Sequence, residues 1–544
     1  MMDKLKVALL LDSFEIPAWE FLMLEKIISL DFVSIDLVII NNANCKKTLT
    51  KKWSEAVYYL YESIDKKIFK PYPDALELKD ANKILKNISV LKACPVNKDG
   101  LDYFLDEDLS KIKLCQIDVI INFGFRNLGG AILDAAKFGV WSCHFGDSDI
   151  NGGGPPGFWE MINNWPETGS ELKIESEDPN KEKIIYRSWS MSNRLSLAKN
   201  RNHCFWKTAS FAPRKLKNLY HLKEADFLEE AIPQNKNSSG SLYSIPSNRR
   251  ALWLLTGQLF KMLSHVIEKI FCIDQWFLMF DLNNAKPFYL ADFKKIMPPK
   301  GAYWADPHII YKDDKYYIFI EEYIYKTKKG HISLLEITKD GKIEKPVKLI
   351  DKDYHFSYPF VFEWEGAYYM VPETAENKTI ELYECVEFPY KWKFKMNLMD
   401  KVQAYDTTLL YYKNKWWLFT CIVENQGAMP DELFLFYSDE LFTDSWVPHP
   451  LNPVVSDVKN ARSAGKIFEK GGKLYRPAQN CSKRYGYGFN INEISALDEL
   501  NYKESTVNAV RPDWDVAIKA THTFNREDNL TIVDVFRKKL RYGN

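Results

Sequence analysis

A phrase of alternating apolar residues returns roughly every 50 residues through the C-terminal half of this chain. It reads WADPHIIYKDDKYYIFIEE from Trp304, SYPFVFEWEGAYYMVPET from Ser357 and AYDTTLLYYKNKWWLFTC from Ala404. Two looser copies follow, ARSAGKIFEKGGKLYRPAQN from Ala461 and ATHTFNREDNLTIVDVF from Ala520. Each copy opens on a polar residue (Asp306, Tyr358, Asp406, Arg462, His522), runs through apolar alternation, and turns at a charged or Asn/Gly pair into a second apolar run. Period-two alternation about a short polar turn predicts a hairpin. Repetition at this spacing, with four short strands per unit, predicts the blades of a propeller. Five copies imply five blades. The first residue of each innermost strand then faces a central channel, which makes the five polar openers candidate site residues.

At 544 residues the chain is too long for one core, so two or three domains are expected. Residues 1–225 alternate apolar runs (KVALLLD, SIDLVIINNA, IDVIINFGF, GVWSCHFGD) with helical spacing such as Pro17 to Leu30. That order predicts an α/β domain, a mostly parallel sheet with helices on both faces. No GxGxxG follows the first strand, which argues against a dinucleotide site. Residues 226–272 read as a linker, polar and rich in Ser, Asn and Pro, followed by an amphipathic helical stretch from Arg250 to Phe271. That stretch suits docking between domains or peripheral contact with a membrane surface. The propeller is expected over 273–544.

Lys+Arg and Asp+Glu balance at 73 each, which disfavours a nucleic-acid partner. The nine cysteines are scattered, with no CxxC or His/Cys cluster. Neither a disulfide framework nor a metal is indicated, and a cytoplasmic setting with reduced thiols is expected. No uncharged apolar run is long enough to predict a transmembrane segment. Aromatics make up 15% of the chain and concentrate in the predicted strands, which suits both strand packing and stacking on sugar rings.

The densest chemistry of the N-terminal half lies between Ile121 and Asn180. INFGFRNLGGAILDAAKFGVWSCHFGD delivers His144 to the C-terminal end of a strand, where open α/β sheets bind ligands. Asp147 lies three residues on, and a glycine-rich loop, NGGGPPGFWE, follows with Gly152, Gly153 and Gly154, then ETG from Glu167. His144 reads as a functional residue or as one satisfying local loop hydrogen bonds.

This order of GF, ILDAAKFGVWSCHFGD, the Gly/Pro loop ending in Trp159, and ETG resembles the Rossmann-like N-terminal domain of the formyltransferase family. The likeness runs from about Lys6 to Ser190. It implies a formyl donor, 10-formyltetrahydrofolate, a catalytic Asn and His two residues apart on a strand end, and an Asp in a later loop. Position by position, the His falls on His144 and the Asn position is held by Ser142. The Asp position falls at Asn180, with Asp178 two residues before it. A domain so altered is also expected to serve a sugar nucleotide or another acyl donor, with His144, Asp147 and Gly152 to Gly154 lining the site.

The C-terminal repeat resembles five-bladed carbohydrate-active propellers. The nearer likeness is to the N-terminal domain of plant glucosamine inositolphosphorylceramide transferases, and the more distant one to five-bladed glycoside hydrolases. The hydrolase likeness implies an Asp base, a second Asp and a Glu acid from three blades. Asp306 and Asp406 match the first two by blade position. The fourth blade, where the acid is expected, shows Arg462 and Gln479, and Glu373 on the second blade is the remaining carboxylate. A pair of carboxylates is the minimum for glycoside hydrolysis, so sugar binding is the firmer expectation. Arg462 and His522 suit a phosphate or carboxylate on the ligand. An Asp at a blade start also caps backbone amides in the channel, the alternative reading of Asp306 and Asp406.

Three functions follow. The first is a sugar-directed transferase of surface polysaccharide or glycolipid assembly, moving a formyl group to an amino sugar while the propeller holds the glycan. The second is a glycosyltransferase-type enzyme with its site in the propeller mouth and a repurposed N-terminal domain. The third is a non-catalytic glycan-binding scaffold.

Overall fold

A computed structural model describes residues 4–42, 53–125, 127–150, 154–178, 181–221, 227, 232–233, 243–282 and 287–541. The chain divides into two compact units, one of residues 1–262 with 425–429 and one of 263–424 with 430–544.

The first unit is built on an eight-stranded mixed sheet. In chain order its strands are β1 (Leu5–Leu11), β2 (Val33–Asn41), β3 (Ser89–Ala93), β4 (Val119–Asn122), β5 (Val140–Phe145), β6 (Glu167–Ile174), β7 (Lys183–Met191) and β8 (Ile232–Pro233). They lie in the order β8-β7-β6-β5-β4-β1-β2-β3. The half from β5 to β3 is parallel, and the half from β5 to β8 is antiparallel.

The sequence of β1 explains its central place. Val7, Leu9 and Leu11 enter an apolar cluster with Trp19, Met23, Ile27 and Phe211 on one face. Ala8 and Leu10 enter a second cluster with Leu109, Ile112 and Ile132 on the other. A strand buried on both faces reads as one continuous apolar run, which is how KVALLLD reads. The parallel half is thus covered on both faces, while the sheet as a whole is mixed rather than mostly parallel.

The antiparallel edge is not foreseen by apolar periodicity. Strands β6 and β7 carry buried polar residues, among them Ser170, Glu171, Lys173, Ser188 and Ser190. Those residues erase the apolar signal. The charged ones are paired: Arg187 Nε donates to Glu171 Oε1 at 2.8 Å, and Lys173 Nζ lies 3.4 Å from Glu171 Oε2.

The second unit consists of five antiparallel sheets. Sheet I holds Ala302–Lys312, Lys315–Ile324, Lys329–Thr338 and Val347–Ile350; sheet II begins at Ser357, sheet III at Ala404 and sheet IV at Phe468. Sheet V joins Cys272–Asp281 to Leu530–Leu540, so the strand that opens the unit pairs with the one that ends it.

Five apolar clusters lie between neighbouring sheets. One holds Phe319 of sheet I and Met370 of II, the next Phe360 of II and Leu409 of III. A third holds Phe419 of III and Leu474 of IV, a fourth Ile491 of IV and Val533 of V. The fifth joins Phe280 of V to Trp304 of I. The sheets therefore close a ring, the succession that the repeat predicts of blades.

The turns show why the repeat folds this way. Lys312 pairs with Lys315, Trp364 with Ala367, Tyr412 with Lys415 and Lys470 with Lys473, each pair enclosing a two-residue loop. The loop residues Asp313-Asp314, Glu365-Gly366, Lys413-Asn414 and Gly471-Gly472 all have positive φ. Two consecutive left-handed residues make the turn whose twist matches paired strands. The charged and Asn/Gly pairs are there because such residues tolerate that conformation better than β-branched ones. Replacing exposed Asn414 (φ +59) by Ile is expected to lower the stability of the second unit by about 1–2 kcal/mol, with Asn414→Gly near neutral. Chemical denaturation checks this, and equal losses in both variants would refute the conformational account.

Candidate functional site

Each inner strand of sheets I to III breaks register where its copy of the repeat opens. The shifts fall between Ala305 and His308, Ser357 and Phe360, and Tyr405 and Thr408. The residue inside each bulge is the polar opener, with φ of +51° at Asp306, +42° at Tyr358 and +50° at Asp406. A bulge re-aims a side chain, and here it frees the opener from its ladder for contacts with neighbouring sheets.

Those contacts tie the sheets together. Asp306 N donates to Asp534 Oδ2 of sheet V at 3.0 Å, and Tyr358 N of sheet II donates to Asp306 Oδ2 at 3.3 Å. The Tyr358 hydroxyl lies 2.9 Å from Thr408 Oγ1 of sheet III. Asp406 Oδ2 accepts from Arg462 Nε and Gln479 Nε2, both at 2.7 Å. Asp306 thus accepts a backbone amide from the next sheet, as its alternative reading expects, while Asp406 is held by side chains of the fourth copy.

His522 sits between two carboxylates. Its Nε2 lies 3.2 Å from Asp306 Oδ1 and its Nδ1 2.8 Å from Asp534 Oδ1, the latter an ion pair out of line for a hydrogen bond. Burial opposes a charge on His522, but Asp534 and Asp306 outweigh it and hold the imidazole well above its ordinary value. Burial likewise pushes Asp306 up, and the His522 charge with its hydrogen bonds wins, leaving Asp306 below its ordinary value. These three residues offer ligand atoms within 4.8 Å of one another. Asp534 Oδ1 already accepts the backbone amides of His522 and Thr523.

Above this knot lies a cavity of about 250 Å³. Trp276, Tyr303, Tyr405 and Tyr485 form aromatic walls, and Asp306, Glu321, His355, Glu373, Arg462 and His522 supply polar groups. Tyr405 and Tyr485 sandwich the Arg462 guanidinium at 5.3 and 5.0 Å. Glu373 Oε2 lies 3.7 Å from Arg462. Both cations expected to meet an anionic ligand are thus met within the protein, Arg462 by Asp406 and Glu373, His522 by Asp306 and Asp534.

The two glutamates behave otherwise. Burial, then Asp306, pushes the Glu321 carboxyl well above its usual range. Burial, then Asp406, does the same to Glu373, with Arg462 opposing. The cavity therefore presents two carboxyl groups poised to carry protons.

Of the sequence-predicted residues, Asp306, Glu373, Arg462 and His522 line this cavity, and Asp406 and Gln479 lie directly behind Arg462. The sequence reading did not place Glu321, Tyr303, Tyr405, His355 or Trp276 there. A signal for Glu321 existed. Ala305 pairs with Glu321, Ser357 with Glu373 and Tyr405 with Cys421, so FIEE, MVPET and LFTC align on one position at the end of each second strand.

In the first unit, Ser142 and His144 stand two apart on β5 and so share a face, opposite Lys173 and Glu171 of β6. Ser142 hydrogen-bonds Glu175, which also accepts from Asn122. Asp147 accepts from Trp189 Nε1 at 3.2 Å and from Asp149 N at 3.0 Å. Asp149 is gripped in turn by Arg187 at 2.8 Å, so the loop after β5 is tied to β7. A Cβ on Gly154 would meet the Tyr243 carbonyl oxygen at 2.2 Å, so only glycine fits that approach. Asp178 accepts Lys181 N through its backbone carbonyl. Gly152, Gly153 and Asn180 lie outside the described residues.

Comparison with known proteins bears on the second unit. The family model described as glucosamine inositolphosphorylceramide transferase 1, N-terminal, matches residues 290–535. The chain is 33% identical over 219 residues to glucosamine inositolphosphorylceramide transferase 1 of Oryza sativa subsp. japonica, covering 39% of this chain and 29% of that protein. With the protein of the same name from Arabidopsis thaliana it shares 31% over 207 residues, 37% of this chain and 27% of the other. The chain thus spans less than a third of the length of these relatives. The family match does not reach the stretch that carries the formyltransferase resemblance. Among solved structures, a GH43 endo-arabinanase from Bacillus licheniformis overlaps 45% of this chain and 96% of its own at 14% identity and a TM-score of 0.33. At that score the overlap adds nothing to the sheet order.

Removing the cation from a buried carboxylate pair leaves uncompensated charge, so His522→Ala is expected to destabilise the second unit by about 3–5 kcal/mol. The stability drawn from the His522 charge is complete below the unfolded value, about pH 6.5. It is lost as pH rises through the raised folded value. The Asp306 contribution runs the other way, present above about pH 3.9 and lost as pH falls through its lowered folded value. Denaturation midpoints of the full chain across pH check both, and an alkaline limb unchanged in His522→Ala would refute the assignment.

Proposed function

We propose that the second unit is a five-bladed propeller whose central cavity binds a sugar ring, and that it serves a glycosyltransferase-type reaction in glycolipid assembly. The observation that carries this reading is the pairing of two buried glutamates, Glu321 and Glu373, with aromatic walls in a cavity where Arg462 and His522 are already ion-paired. Aromatic faces stack on the apolar faces of a sugar, and carboxyl and tyrosine groups meet its hydroxyls. All the lining residues except Trp276 lie inside the stretch matched by the family model, and the relatives carry a glucosamine transferase name.

The electrostatics narrow the ligand. With Arg462 and His522 paired, an anionic substituent finds no free cation in the cavity, so a sugar phosphate or sugar acid gains little there. A neutral ring is accommodated as it stands. An ammonium group is favoured further, because it lowers the cost of ionising Glu321 or Glu373 beside it. The preferred occupant is a neutral or amino sugar, with any nucleotide or lipid phosphate of the substrate outside the cavity.

Glu373 is assigned the proton-transfer role. Arg462 opposes the burial that raises it, and a carboxyl so balanced is suited to exchange a proton with a departing or attacking oxygen. Glu321 is the second carboxyl, hydrogen-bonded by the Tyr303 hydroxyl at 3.4 Å.

Calorimetric titration with glucosamine, glucose and glucuronic acid tests the ligand class. Binding is expected for the first two and at least about tenfold weaker for the acid, where loss of a complementary charge costs about 1.4 kcal/mol or more. Glu373→Gln keeps the neutral shape of the protonated side chain. It is expected to retain sugar binding while transfer from nucleotide sugars falls about 100-fold or more. Equal turnover in Glu373→Gln and wild type would remove Glu373 from the chemistry. Saturable heat with 5-formyltetrahydrofolate that His144→Ala abolishes would return the chemistry to the first unit.

A further inference from the structure

The first unit carries an apolar surface that its own core does not use. The helix Ala56–Phe69 presents Leu60, Ile64 and Ile68 to solvent, at 62%, 46% and 61% exposure. Alongside it runs the helix Asn248–Phe271, whose Trp253, Leu259 and Phe260 are 73%, 60% and 73% exposed. Between them lies an apolar groove of about 320 Å³. Contiguous exposed apolar surface of this kind marks a contact with a partner or a membrane.

The long helix is amphipathic in a specific way. Only Ala251 and Gln258 are buried. Its polar side is anchored, with Gln258 Nε2 donating to the Arg194 carbonyl at 2.8 Å and Lys261 Nζ to the Ile162 carbonyl at 2.8 Å. At 100° per residue the large apolar side chains fill an arc of about half the circumference. At 1.5 Å per residue the part of the helix in this unit, residues 248–262, is about 22 Å long. No described helix is long and apolar enough to cross a membrane.

Charge selects the occupant. Up to Met262 the helix exposes Arg249 and Arg250 and carries no acid, in a chain whose charges balance overall. A second copy of the chain would set like-charged rims against each other. An anionic lipid surface neutralises them while the Trp, Phe and Leu side chains enter the acyl boundary.

We propose that this two-helix face is a membrane-docking surface, with the helix Asn248–Phe271 lying in the plane of an anionic bilayer. The proposal does not rest on sugar binding by the second unit, and either stands if the other fails.

The test is co-sedimentation of the full chain with vesicles of phosphatidylcholine alone or with phosphatidylserine added as the anionic lipid. Binding is expected with the anionic vesicles and is expected to weaken in high salt. The double variant Trp253→Glu, Phe260→Glu is expected to bind at least about tenfold more weakly, since buried apolar area and charge both drive interfacial binding. Both positions are solvent-exposed, so circular dichroism and denaturation midpoints should match wild type. Leu60→Glu gives a second reading from the other helix. No binding by wild type, or binding unchanged in these variants, overturns the proposal. Sedimentation velocity showing a wild-type dimer that the double variant converts to monomer, without vesicle binding, also overturns it and gives the face to a second copy.

Discussion

One charge held between two in the dry centre of the second unit organises what surrounds it. His522 stands between Asp306 and Asp534, each within 3.2 Å of a ring nitrogen. Neither carboxylate is buried at acceptable cost without that cation, and the cation is not buried without both. The same carboxylates accept backbone amides of Asp306, Tyr358, His522 and Thr523. The knot therefore joins the last sheet to the first and the first to the second, where a ring of separate sheets most needs a link beyond apolar packing. Strand pairing between Cys272–Asp281 and Leu530–Leu540 joins the two ends of the unit, and the knot lies where the ring closes.

The cost of that arrangement appears in the cavity above it. Arg462 and His522 are taken up by ion pairs within the protein, and burial with the carboxylates behind them raises the two glutamates facing the cavity above their usual range. Structural charge and site chemistry are thus parts of one balance. An arginine pinned between two tyrosines and ion-paired with Asp406 is a rigid wall of the site and an orienting charge for Glu373.

How much of this was readable before folding differs by element. The hairpins were legible, because two-residue turns at Asp313-Asp314, Glu365-Gly366 and Lys413-Asn414 demand left-handed backbone and the residue types advertise it. The core strands of the first unit were legible because burial on two faces leaves an unbroken apolar run. Strands β6 and β7 were not, since buried Glu171, Lys173 and the serines imitate a polar segment, and only the folded register brings Arg187 of β7 to Glu171 of β6. Asp306, Glu373, Arg462 and His522 were found as openers or leftover acids, while Glu321 needed the cross-strand register that aligns it with Glu373.

Sequence alone determined the periodicity, the turn chemistry, the five-fold repeat and the amphipathic stripe after Asn248, because each depends on neighbours a few residues apart. Tertiary structure decided which polar residues face ligand and which hold the ring. Asp306 and Glu373 are both acids on a repeat, yet one is kept charged by His522 and the other kept neutral by burial beside Asp406. That difference arises from partners 216 and 33 positions away, with which each shares a few ångströms of low-dielectric space, and no local pattern encodes it.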